Sequence, residues 1–152
     1  MLAHFVLRLM LGLGIMLCLM PRREVALPFF RIMNLCLLGF AALLFLTTTG
    51  PQVGPIVMGS LAFYGSVMWT LGRTRPATLA LFLLTGVAAT ELLLCPPYVQ
   101  QYHEAGLTRE LLLRALSDLA TAGVLGAVLT GMLLGHRYLT ACLLYTSDAA
   151  DE

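Results

Sequence analysis

The sequence contains no lysine, and only 11% of its 152 residues carry a charge, against about 25% in an ordinary soluble domain. The missing lysine excludes the glycine-rich phosphate loop that ends in Lys-Ser or Lys-Thr, whose ammonium reaches the β- and γ-phosphates. H-E-x-x-H and G-x-S-x-G are absent too, which removes the zinc-protease and serine-hydrolase signatures. The four cysteines, Cys18, Cys36, Cys95 and Cys142, have neither metal-ligand spacing nor the pattern of a secreted disulfide framework. No basic stripe interleaved with aromatics marks a nucleic-acid surface, so no nucleic-acid partner is expected. The linking segments are too short for a soluble catalytic domain. These absences argue against an enzyme and confine any chemistry to the bilayer or its surface.

What the sequence has instead is apolar surface. Hydrophobic residues make up 59% of the chain, and the mean hydropathy is +0.89. A soluble protein this small has too little interior to hide so much, because its surface is large relative to its core. Lipid removes that constraint. Five apolar segments approach the ~20 residues needed to cross a hydrocarbon layer, at about 2–20, 27–46, 56–71, 77–95 and 111–134. They are too long and uninterrupted for the alternating strands of a barrel, and they lack the charged face of a soluble bundle helix. The expectation is an all-α polytopic bundle within residues 1–141, embedded in a lipid bilayer. The first segment lacks a small-x-small cleavage site before Pro21, so it reads as a span rather than a removed leader.

The arginines orient the bundle. Arg22 and Arg23 lie in the first connector and Arg73 and Arg75 in the third, whereas the second has no Lys or Arg and the fourth only Arg109. Short cytoplasmic loops carry the excess of basic residues. The first and third connectors are therefore expected inside, with the N-terminus outside a bacterial inner membrane.

Ionisable residues at membrane depth are functional candidates, since each needs a partner or water there. In this orientation Arg8, Glu91, Arg114 and Asp118 all fall in the outer half, and their formal charges sum to zero. Arg114 and Asp118 are spaced i,i+4 and share a helix face. Three readings stand: an interhelical ion-pair network, a substrate, ion or proton site, or charges that reach the interface. In the fifth segment Gly123, Ala127, Gly131 and Gly135 recur every four residues, a stripe that lets a second helix approach closely. Three partners fit such a stripe: one of these five helices, a further helix of a longer chain, or another membrane subunit. His4 and His136 are possible ligands or interfacial anchors. They lie on opposite faces and cannot share one haem, and His103 falls in a connector. No metal or cofactor is expected. The leading functional reading is a structural or transport-related membrane protein, and the alternative is a redox subunit binding haem or quinone.

Two stretches near the end resemble known sequences. The helix end GMLLGHRYLT resembles the "MLLGH-aromatic-aromatic-L" ending of large uncharacterised bacterial membrane proteins, with Arg137 where the commoner form has Trp. The resemblance implies a polytopic protein and a chain longer than this one, but no activity. The final eleven residues, CLLYTSDAADE (Cys142–Glu152), resemble the translation of a transposon-end sequencing adapter. That resemblance implies a non-native tail on an interrupted fragment, with no part in folding or membrane insertion.

Overall fold

The structure, a computed structural model, describes residues 2–21, 25, 27–48, 50, 53–93 and 109–148, the last helix by its backbone alone at 110, 111, 137 and 140–148. These residues form five α-helices and no strand: α1 Leu2–Leu19, α2 Leu27–Thr47, α3 Val53–Thr70, α4 Thr74–Leu93 and α5 Arg109–Asp148. Each has a stretch long and apolar enough to cross a membrane, which in α5 is Leu112–His136. The chain is an integral membrane helical bundle. Helices are what an apolar chain must form in lipid, where each backbone N–H and C=O has to be satisfied inside its own segment.

Proline marks where helices start. α3 and α4 each begin about three residues before the apolar run, and Pro55 and Pro76 sit in their first turns. The first-turn N–H groups have no intrahelical acceptor, so proline gives up nothing there. Between these helices the chain reverses over Leu71–Arg73. Gly72 adopts φ +70°, its N–H donates to the Trp69 carbonyl (3.2 Å), and the Arg73 N–H donates to the Met68 carbonyl (3.0 Å). This paired arrangement satisfies the carbonyls at the end of α3 and needs a left-handed residue, which glycine supplies without a Cβ clash.

α1 to α4 close into a ring, with α2 on α3, α3 on α4, α4 on α1 and α1 on α2. Phe30, Met10, Leu13, Leu17, Met33, Leu37, Met58, Leu81 and Leu84 are fully buried within it. Helix directions follow from the contacting residues. Gly65 faces Asn34 and Ala80, while Gly59 faces Leu38 and Ala41 and Gly54 faces Glu91; α3 is therefore antiparallel to both α2 and α4. α5 stands outside the ring and packs mainly on α1. Only 17% of its apolar window is buried, against 39–44% for the other four. The helix also runs past the expected end near residue 134, because Gly135 does not interrupt it and no proline follows.

Candidate functional site: the polar seam between α1 and α5

His4, Arg8 and Gly12 recur at every fourth residue of α1 and so form one ridge along it. On α5 Asp118, Ala122 and Gly126 do the same. The structure lays the two ridges side by side. An Arg8 guanidinium nitrogen donates to Asp118 Oδ1, and His4 Nε2 stands 3.4 Å from Asp118 Oδ2, an ion pair when the imidazole is protonated. One turn beyond Arg8, Gly12 meets the backbone of Ala122 and Gly126. Residue number rises in the same direction on both helices, so α1 and α5 are parallel. Alternating spans require this of the first and fifth.

The carboxylate of Asp118 is buried, with 8% of the side chain exposed, and the Arg8 side chain remains 30% exposed. This asymmetry follows from side-chain length: the arginine stem lies along apolar surface while its head reaches towards more polar surroundings. An isolated carboxylate at that depth would be costly. A translocon scale puts such a charge at about 2.5–3.5 kcal/mol at the helix centre. Pairing with Arg8 and His4 offsets much of that.

Below the ion pair the glycines set the spacing. A Cβ on Gly12 would overlap the Ala122 carbonyl, and one on Gly126 would overlap the Gly12 carbonyl group. Both obstacles are backbone, which cannot rotate away. The close approach therefore depends on two hydrogen atoms where other residues carry carbon, the arrangement by which small residues bring membrane helices into van der Waals contact.

The other expected site residues take different positions. Arg114 is exposed on α5, one turn before Asp118 on the same i+4 row. Glu91 is half-buried on α4, its carboxylate lying over Gly54 in the first turn of α3, where the helix N-terminus favours negative charge. Depth alone grouped Glu91 with the other three; it does not report which way each helix is turned. The row Gly123, Ala127, Gly131 and Gly135 is likewise displaced from the seam. Ala127, Gly131 and Gly135 are exposed, and among the described residues no neighbouring atom lies within 4 Å of a Cβ placed at 123, 131 or 135. The close contact is made by the adjacent row, Ala122 and Gly126. The signal for it was present: that row continues the i+4 spacing of Asp118. His136 is exposed eighteen residues beyond Asp118, about 27 Å along the helix from the level of His4, so the two cannot ligate one iron. His103 lies outside the described residues.

A second polar locus sits inside the ring. Asn34 is 1% exposed, and its Nδ2 donates to the Phe30 carbonyl at 2.9 Å. Its Oδ1 and the Trp69 Nε1 are buried and have no hydrogen-bond partner among the described residues. Trp69 stacks on Phe30, with centroids 4.7 Å apart and planes at 19°. Gly65 leaves room for the Asn34 amide, since a Cβ there would come within 2.7 Å of Oδ1. Gly65→Ala is therefore expected to destabilise the ring by about 1–3 kcal/mol, the usual cost of overpacking. Adding Asn34→Ala should recover much of the loss. Thermal unfolding followed by the fluorescence of Trp69, the one tryptophan in the chain, measures both.

These features define a polytopic α-helical membrane protein with an intramembrane ion pair outside its four-helix ring. No family model, curated protein or solved structure matches the chain.

Proposed function

We propose that this chain is a bacterial inner-membrane protein, N-terminus outside, with a structural or transport-related role in which an intramembrane ion pair clamps α5 onto α1. The observation that carries this reading is the buried Asp118 carboxylate held between Arg8 and His4, directly above the glycine contact of the same two helices. Charge neutralisation and close packing then act on one interface, which is what a clamp requires. The orientation is supported by the basic first and third connectors.

Single cysteines test the placement in intact cells. Positions 22 and 74 are expected to resist an impermeant thiol reagent until the membrane is opened. Positions 50 and 103 should react from outside. The opposite pattern would reverse the orientation, and reaction of all four from outside would remove the inner-membrane placement.

A further inference from the structure

The N-terminal half of α4 carries a groove of about 450 Å³ lined by Arg75, Thr78, Leu79, Phe82 and Leu83. It is shallow and open along its length, because all five lining residues come from one helix. The lining residues follow the spacing i, i+3, i+4, i+7, i+8 and so form a single stripe along the helix. The stripe changes chemistry along its length. Arg75, in the first turn, is exposed, while Leu79, Phe82 and Leu83 are 62%, 56% and 51% exposed. Eight residues separate Arg75 from Leu83, about 12 Å of helix axis. The groove thus runs from the first turn of the span, where Arg75 lies, into its apolar part.

The polar end is built for an anion. Among the described residues, no ion pair or hydrogen bond engages the Arg75 guanidinium. Arg73 precedes it in the α3–α4 turn, no acidic residue lies between Leu71 and Thr90, and the N-terminus of α4 adds its positive partial charge. The Thr78 hydroxyl donates its proton to the Arg75 carbonyl at 2.8 Å, so the donors left at the rim are those of arginine.

We propose that this groove binds one anionic phospholipid, with its phosphate on Arg75 and an acyl chain along Leu79, Phe82 and Leu83. A cation above an exposed apolar stripe, at the depth where a lipid changes from headgroup to chain, is complementary to that class of molecule. The site is separate from the α1–α5 seam, and it needs no particular orientation of the bundle.

Native mass spectrometry of the full chain in detergent, titrated with phosphatidylglycerol or phosphatidylcholine of identical chains, tests the assignment. The first bound phosphatidylglycerol should be retained roughly fivefold more tightly than phosphatidylcholine, the contribution expected of one basic residue near anionic lipid. Arg75→Gln should remove most of that preference, and Arg75→Lys should retain part of it. Phe82→Ala should weaken both lipids. Arg31→Gln, which removes an exposed arginine of α2 outside the groove, should change nothing. Equal retention of the two lipids by the unaltered chain would overturn the proposal. So would a preference that survives Arg75→Gln, or one lost equally with Arg31→Gln. Displacement of the lipid by millimolar inorganic phosphate would identify a phosphate site instead.

Discussion

Gly126→Val is expected to detach α5 from α1, whereas Gly131→Val, five residues along the same helix, should leave the fold unchanged. A Cβ at position 126 overlaps the carbonyl group of Gly12. Overpacking usually costs about 1–3 kcal/mol because side chains shift to make room. Here there is no side chain to shift; the whole helix must move. α5 has α1 as its main partner, so moving away forfeits most of its interface rather than straining part of it. Among the described residues, position 131 has no atom near enough to meet a new Cβ, so an added valine there has room. Gly12→Val should reproduce the Gly126 result from the opposite side. The thermal stability of each variant in nanodiscs, with protease accessibility of α5, measures the contrast. Equal effects at 126 and 131 would remove the seam from the account.

Asp118→Ala is the second large effect. Removing one partner of a buried ion pair costs about 3–5 kcal/mol in soluble proteins, while interhelical hydrogen bonds in membranes average about 0.6 kcal/mol. A full charge is involved, but the partly exposed Arg8 can reach towards the headgroups once released. The loss should therefore fall between those limits. Arg8→Ala takes the arginine away from the more deeply buried Asp118 carboxylate, and it should be at least as damaging. The exchange Arg8→Asp with Asp118→Arg is expected to recover a good part of the stability lost by either single change. Recovery defines a clamp. Two single losses that add in the exchange would show that charge pairing is not what these residues contribute.

Much of this arrangement was legible in the chain before folding. Five apolar runs became five helices because length and hydropathy decide whether a segment can lie in lipid. Their starts were less legible: Pro55 and Pro76 read as breaks, although both belong to the first helical turn. The Arg8–Asp118 pair was legible because both residues lie at the same depth with opposite sign. Glu91 shares that depth, yet its carboxylate lies over Gly54 of α3, because depth does not fix rotation about the helix axis. The same limit moved the glycine contact by one residue, from the row of Gly123 to that of Ala122 and Gly126. Rotation is set by packing partners, and His4, Arg8 and Gly12 reveal theirs only when read as one i+4 ridge. The fit of the Asn34 amide to Gly65 was not legible, because that contact joins residues far apart in sequence.

The parallel pairing of α1 and α5 is the claim on which the clamp depends, and spin-label distances test it most directly. Leu2, Leu19, Leu112 and Met132 are exposed and can carry labels in pairs after the native cysteines are replaced by serine. Parallel helices in the observed register place 2 beside 112 and 19 beside 132. Both pairs should give short distances, while 2 with 132 and 19 with 112 should be separated by an additional axial span of about 25–30 Å. Short distances for the crossed pairs and long ones for the same-end pairs would mean antiparallel helices, and would contradict the account.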